Sequence, residues 1–458
     1  MSKRDFLPGK IVVQLRPGME LERIVAHRDV RQGYAEPAHT IDGKGPIDSA
    51  VKQFSSDLRA SRAFTSRTNV TVPARRHLNW DALEHELGLS RTLRIAVHPL
   101  ADVRGLCAEL SSLAAVEMAS PQYLCQTPFA EHEPTAPGES PDESRALISA
   151  ARAMQMEPGD PVLIVGLVDS GVQPDHPELT GRLRPGLTTV TMTELAGSAH
   201  LLSGPHLRQD ASDDEGHGTA CAAIIGANGW ELPKGLAGAA MLLAVRALCG
   251  AQLHGDERPT AIGNLCDIDS GMKSAVDLGA RVLNLSFGTP QAALDPSDPV
   301  PHVPVVRYAL GRECVLVSAS GNSGQDELFY PAAIPGVIAV GSIGPDRRRS
   351  SFSTGGPHVA LCAPGEHVRV ATLKGYARMS GTSFAAPFVT GAAALMISRA
   401  ARRSSALTAS TVRDLLQRSA APFAPGDART NNMTSGTGVL DVPAALHAVD
   451  EECQAEAA

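Results

Sequence analysis

Aromatic side chains make up only 4% of this 458-residue chain, which carries 42 glycines. That balance argues against a coiled or fibrous design and suits an α/β protein with tight turns. A basic excess is also missing. The formal charge is −8, which argues against nucleic acid or an anionic membrane as the main partner. No run reaches the ~18 apolar residues that a membrane span needs, so no membrane span is expected. The opening residues Met1 to Pro8 include Lys3 and Arg4 but no apolar stretch behind them, which is not the pattern of a secretory signal. The expectation is a cytoplasmic protein, or one exported without a signal peptide of that kind. The eight cysteines (107, 125, 221, 249, 266, 314, 362 and 453) lack metal-ligand spacing. Free thiols in a reducing compartment are the expectation. What is abundant is core: 43% hydrophobic and 20% charged residues, over a length that suits two or three domains of ~100–200 residues.

Four segments are read along the chain. Residues 1–125 form a small α+β unit, with strands at Gly9 to Leu15, Arg94 to Val97 and Val116 to Tyr123. Asp102 to Leu113 has helical spacing, Trp80 to Leu89 reads as a short helix, and the polar stretch 20–90 is otherwise weakly patterned. Residues 126–145 are an acidic, proline-punctuated linker, expected to be exposed. Residues 146–450 alternate short apolar strands with helices: Val162 to Val168, Thr219 to Ile225, Leu242 to Leu248, Asp267 to Leu278, Arg281 to Leu285, Val303 to Gly311, Cys314 to Ser318 and Val337 to Val340. Such alternation implies a mainly parallel sheet with helices on both faces. Ligands in such folds bind at the carboxyl ends of the strands. Residues 451–458 remain as a tail.

Three segments at element ends carry the chemistry. The first strand of the third segment runs into Asp169-Ser170-Gly171. Gly216-His217-Gly218-Thr219 opens a helix. Gly381-Thr382-Ser383 opens another, where the positive end of the helix dipole favours the charge that develops beside a nucleophile. An Asp, a His and a Ser facing one sheet edge are the parts of a nucleophilic triad. The acidic run Asp213-Asp214-Glu215 before His217 reads as a solvated loop rather than a metal site. His176, His254, His358 and His367 show no partner in sequence and read as structural or surface residues. Asp175 and Asp326 remain open as substrate contacts.

At this point the chain resembles the subtilisin family of serine proteases. The order Asp, His, Ser matches that family, as do spacings of 48 and 166 residues between the three. Further matching stretches are Val282 to Gly288, Ser320-Gly321-Asn322-Ser323-Gly324, Tyr330-Pro331-Ala332 with Val337 to Gly341, and Phe352-Ser353 with Ala363-Pro364-Gly365. The resemblance covers about 160 to 445. It implies Asp169, His217 and Ser383 as catalytic residues. It also implies Asn322 as oxyanion donor with the Ser383 backbone N–H. Ser286, Phe287, Gly288 and a second edge strand near Leu253-His254-Gly255 would clamp the substrate backbone.

Departures from the family pattern are informative. Phe384 replaces the usual Met after the nucleophile. Cys221, four residues after His217, shares its helix face; it is read either as a thiol beneath the imidazole or as a small core residue. Glu178 stands where many members have an Asp calcium ligand, and the following loop (227–234) differs in length, with Glu231 its sole carboxylate. No cofactor is required by the resemblance, and a structural calcium is left open. The N-terminal segment resembles the family's inhibitory propeptide in outline, through Gly9 to Val13, Val116-Glu117 and Pro121 to Tyr123. A permanently attached targeting or partner-binding domain is the rival reading.

The expected function is a serine endopeptidase made as a zymogen, acting on protein or peptide through an acyl-enzyme, with its own N-terminal domain as inhibitor. An inactive peptide-binding scaffold, and an esterase or acyltransferase with the same triad, are the alternatives. Phe329, just before Tyr330-Pro331, stands at the floor of the primary specificity pocket by resemblance, and its ring would leave room for a small side chain. Self-cleavage is therefore expected between about Gln126 and Glu133, with Ala130–Glu131 favoured.

Overall fold

The computed structural model describes residues 6–19, 21–127, 131–134, 143–192, 199–202, 210–253, 259–426 and 433–457. The N-terminal unit begins with β1 (Phe6–Leu15), β2 (Arg59–Arg62), β3 (Thr92–Ala96) and β4 (Val116–Gln126). β1 lies between β3 and β4, and all neighbours are antiparallel. Alternation puts Ile11, Val13, Leu93 and Ile95 on one face. There they pack with Ile47 and Val51 of helix Pro46–Phe54 and Leu106 and Leu110 of helix Val103–Ser112. The former helix and β2 lie in the stretch that showed little pattern in sequence. The helix expected over 80–89 is shorter, at Ala82–Glu86, closed by a capping box between Asp81 and Glu84.

The linker does not run free along its whole length. β5 (Glu131–Pro134) forms a strand, and Ser144 and Arg145 are buried.

The larger unit is built on β6 (Ile164–Asp169), β7 (Leu183–Thr188), β9 (Met241–Arg246), β12 (Val282–Leu285), β14 (Val315–Ala319), β16 (Ile338–Ile343) and β17 (Val359–Pro364). Their order is β17-β16-β14-β12-β6-β9-β7, and every pair is parallel. The chain starts at β6, builds toward β7, then returns to build the other way from β12. The point where direction reverses lies at the carboxyl end of β6, where Asp169 stands, and sheets of this kind bind ligands at that point. The smaller β8 (Ala199–Leu201), β10 (Cys249–Leu253) and β11 (Thr260–Asn264) form an antiparallel group that β4 joins, giving one sheet of order β2-β3-β1-β4-β11-β10-β8 across both units. β13 (Thr289–Pro290) pairs with β15 (Phe329–Tyr330). β18 (Val368–Ala371) pairs with β19 (Tyr376–Ser380), which takes β5 on its other edge.

Helix Thr382–Arg402 is the only helix among the described residues that is long and apolar enough to cross a membrane, and 89% of its apolar window is buried inside the molecule. It is the central core helix, packed with Ile224, Val317, Val340 and Leu446 in one hydrophobic cluster. Residues 451–457 are not a tail: helix Val442–Ala457 includes them, and Cys453 is buried in the same cluster. All eight cysteines are free and buried.

Candidate active site

Three side chains and one close approach set the histidine. Helix His217–Gly226 begins with N–H groups that have no intrahelical partner. His217 N donates to Glu215 Oε2 (2.9 Å), Gly218 N to Ser170 Oγ (2.9 Å) and Thr219 N to Asp213 Oδ2 (3.0 Å). Asp213 also accepts from Glu215 N, Gly216 N, Ser170 Oγ and Thr219 Oγ1. A Cβ on Gly218 would stand 2.1 Å from Gly171 O, so only glycine lets the helix start come this near to the end of β6. The result is the bond His217 Nδ1···Asp169 Oδ1, 2.8 Å, with both residues buried. Ser170 N donates to the same Asp169 oxygen at 2.7 Å. Burial works against charge on the imidazole, but the Asp169 carboxylate outweighs it and raises the His217 pKa well above the ordinary value of 6.5.

The acidic run before His217 is thus not a solvated loop. Asp213 ties the histidine helix to Ser170. Asp214 is half-buried, pairs with the buried Arg246 (2.5 Å) and accepts from Gly250 N (3.0 Å). An Asp that bonds backbone N–H groups two and three residues on is an Asx-turn residue, which was the signal available in sequence.

Ser383 stands in the first turn of helix Thr382–Arg402, as its Gly-Thr-Ser context predicts. Pro387, four residues on, has no N–H for the Ser383 carbonyl. That carbonyl instead accepts from Ser286 Oγ (2.9 Å) and Cys221 Sγ (3.4 Å). Ser286 Oγ is in turn held by Asn284 Nδ2 (2.8 Å). Ser383 Oγ donates to Ser286 O at 3.3 Å, and His217 Nε2 has no hydrogen-bond partner among the described residues. The serine hydroxyl is thus turned to the strand wall rather than to the imidazole, and such catalytic bonds often tighten only with substrate. Cys221 Sγ lies 3.9 Å from His217 Nδ1 and is fully buried, so it is both beneath the imidazole and in the core. Phe384 packs its ring 5.6 Å from the imidazole, centroid to centroid.

Asn322 meets the turn that carries Ser383. Its Oδ1 accepts from Thr382 N (2.9 Å) and Thr382 Oγ1 (2.8 Å). This fixes the amide's orientation and leaves Nδ2 on the side of Gly381, 3.1 Å from where a Cβ there would sit. Thr382, given no role of its own in the sequence reading, is the residue that aims Asn322.

Two walls line a groove beside Ser383. Gly288 exchanges both backbone bonds with Gln126 (Gln126 N to Gly288 O 3.3 Å; Gly288 N to Gln126 O 3.0 Å). The opposite wall is β11: Leu124, Cys125 and Gln126 pair with Asn264, Gly263 and Ile262, and Thr127 N donates to Ala261 O (2.9 Å). The second edge strand is therefore Thr260–Asn264, not the stretch near Leu253, which ends β10 one strand further out; His254 and Gly255 lie outside the described residues. β11 lies between β4 and β10, an order that periodicity alone does not give. Of the wall residues, Ser286 and Phe287 turn their side chains inward: Ser286 holds the Ser383 carbonyl, and Phe287 is fully buried beside His302. The Phe329 ring lies between Gly288 and Gly321: a Cβ on Gly288 would meet it at 2.5 Å and one on Gly321 at 3.2 Å. Phe329 is 7% exposed, so the ring fills the space between these two glycines.

Glu178 is fully buried. Its Oε1 accepts from Glu231 N (2.7 Å) and Leu232 N (2.8 Å), and its Oε2 from Gly229 N (2.9 Å) and Trp230 N (3.1 Å). Calcium needs carboxylate oxygens facing it. Here both face four N–H dipoles, so the residues do not fit a cation at Glu178. The Glu231 carboxylate faces Arg369 at 3.9 Å instead. His176 is structural, with Nε2 at 3.2 Å from Gly375 O. Asp326 is an exposed partner of Arg349 at 3.6 Å, and Asp175 is exposed.

Comparison with known proteins bears on this arrangement. The sequence model of the subtilase family matches residues 161–441. The chain is 32% identical to a thermophilic serine proteinase of Bacillus sp. (strain AK1) over 65% of its length and 67% of the relative's. It is 34% identical to thermitase of Thermoactinomyces vulgaris, over 51% of this chain and 75% of that one. Among solved structures, the prenylagaramide maturation protease PagA matches with a TM-score of 0.53 and 26% identity, covering 66% of this chain and 98% of that one. The match spans the sheet that carries Asp169, the histidine helix and the serine helix, and the chain belongs to the subtilase family, as a subtilisin-like serine protease that hydrolyses peptide bonds without an organic cofactor.

Proposed function

We propose that Ser383 is the nucleophile, His217 its general base, and Asp169 the carboxylate that fixes the imidazole tautomer and stabilises the imidazolium. Asn322 Nδ2 and the Ser383 backbone N–H receive the oxyanion. The peptide enters as a strand between Gly288 and β11, where main-chain bonds hold it in any sequence and the pocket over Phe329 selects a small side chain before the scissile bond.

The N-terminal unit is an inhibitory propeptide and the first substrate of its own protease. One observation carries this reading. The chain leaves the N-terminal sheet as the strand paired to both groove walls at Gln126. It returns as β5, where Glu131 pairs with Ser380, three residues before Ser383. With Gln126 held on the groove walls and Glu131 beside Ser380, the bond cut falls between Thr127 and Glu131, within the 126–133 stretch expected from sequence; residues 128–130 lie outside the described residues. Ala130, the smallest side chain in that interval, fits the narrowed pocket and keeps Ala130–Glu131 as the favoured bond.

The test compares wild type with Ser383→Ala during expression and storage. Wild type yields a fragment whose N-terminus, by mass spectrometry, falls within 128–131. Ser383→Ala stays at full length and fails to react with a fluorophosphonate probe. A wild-type chain that remains uncut, or a Ser383→Ala chain cut at the same place in pure form, refutes the zymogen reading. Absent probe labelling of the processed wild type refutes the catalytic one.

A further inference from the structure

A second cavity, of about 470 Å³, lies on the opposite face of the N-terminal sheet from that unit's core. Such a volume is that of a small-molecule site. Register builds its floor. Lys10, Ala96 and Arg59 stand directly opposite one another across β1, β3 and β2, and Val12, Arg94 and Ser61 form the next row. Directly opposed residues share a face, so Lys10, Arg59 and Arg94 converge on one side. Leu7, Val30 and Met192 supply apolar wall, and Met192 with Thr191 comes from the protease unit.

The charge on this face is unbalanced. Asp267 is the carboxylate that reaches it, and its oxygens are already taken by Arg94 (2.5 Å), Thr191 N (2.7 Å), Thr191 Oγ1 (2.9 Å) and Asn264 Nδ2 (2.6 Å). Lys10 and Arg59 form no ion pair among the described residues and are exposed at the cavity mouth. Arg31 is near enough to act on His27, and its Nη2 is buried without a hydrogen-bond partner among the described residues. Burial, Arg94, Arg31 and Lys10 hold the His27 imidazole well below the usual histidine value, so it is neutral, bonded through Nδ1 to Ser61 Oγ (2.8 Å). Partial burial with Arg94 and Arg59 likewise lowers the Lys10 ammonium from the usual value. A bare cation cluster over an apolar cup is complementary to a group with the opposite charge and an apolar body.

We propose that this cavity binds a small amphipathic organic anion, its acidic group on Lys10 and Arg59 and its apolar part in the cup between the two units. The site is separate from the catalytic groove. Because it is walled by both units, a ligand there favours their docked state by mass action.

The test uses the full-length Ser383→Ala chain, whose uncut state does not require any activity, and calorimetric titration with octanoate, hexanol and inorganic phosphate. Octanoate should bind saturably, one to one, and hexanol and phosphate at least tenfold more weakly. Lys10→Ala with Arg59→Ala should raise the octanoate dissociation constant at least tenfold. Both side chains are exposed, and thermal unfolding of the variant checks that it is folded. Lack of saturable octanoate binding, equal binding by the double variant, or phosphate binding as tightly as octanoate each overturns the proposal.

Discussion

At the scale of single residues, the histidine and the pocket floor give the clearest expectations. A general base must be neutral to accept the serine proton. Since Asp169 raises the His217 pKa above 6.5, kcat/KM should be lost as pH falls through a value above 6.5. Asp169→Asn should move that limb downward and cost on the order of 10⁴-fold in kcat, the loss known for this carboxylate in subtilisin. A pH profile of both proteins on one peptide checks this; an unmoved limb removes Asp169 from the role. Phe329→Gly vacates the space between Gly288 and Gly321. Wild type should favour Ala before the scissile bond, and the variant should gain on peptides with Leu or Phe there by about 10- to 100-fold relative to Ala. Wild type that already cleaves fast after Phe, with no change in Phe329→Gly, would sink the pocket argument.

At the scale of elements, one carboxylate takes over a loop. Four consecutive N–H groups of residues 229–232 converge on Glu178, and hydrogen bonds to a charged acceptor are the strong kind. Glu178→Gln turns an amide N–H₂ toward those donors and should cost about 3 kcal/mol of stability. Its unfolding midpoint in urea should fall accordingly, while a chelator should leave the wild-type midpoint where it was. A chelator-sensitive wild type with an unaffected Glu178→Gln would reverse this account. The Pro387 effect belongs to the same scale. A helix residue without an N–H frees the Ser383 carbonyl, and that carbonyl anchors Ser286 and Cys221 beside Ser383.

At the scale of the whole molecule, buried charges hold the two units in one register. Lys273, 1% exposed, donates to Glu84 Oε1 (2.5 Å) and Thr65 O (2.7 Å) of the N-terminal unit and to Asp277 Oδ2 (2.7 Å) of its own helix. Arg94 reaches Asp267 in the opposite sense, and the half-buried Arg312 pairs with Asp81. Desolvated pairs such as Lys273–Glu84 and Arg94–Asp267 penalise a wrong partner more than they reward a right one. Glu84→Gln leaves Asp277 as the one carboxylate on Lys273 among the described residues. It should weaken inhibition by the cleaved N-terminal unit by on the order of 10- to 100-fold. Processed wild type and variant, diluted in series and assayed with peptide, should differ in the concentration at which activity appears. Identical curves would remove this cluster from docking.

What the sequence determined by itself was whatever is local. Runs such as Val162 to Val168 and Val303 to Gly311 carry their own period, so the parallel sheet and its helices were legible. The Asp, His and Ser stretches sit at element ends that the same grammar marks. The tertiary structure decided what depends on distant partners. Asp213 looks solvent-facing until Ser170 and the first turn of the histidine helix close on it. Glu178 looks like a metal ligand until loop 229–232 folds over it. The stretch 20–90 has little period because Arg62, Glu84 and Arg76 are buried by specific pairing, with Ile24 O, Lys273 and Asp29, rather than on an apolar stripe. The groove's second wall is a strand whose place follows from the β4 edge that it meets, and the cation face of the N-terminal sheet appears only once three strands fall into register. Apolar periodicity reports burial along one element; polar contacts between elements far apart in the chain have no period to read.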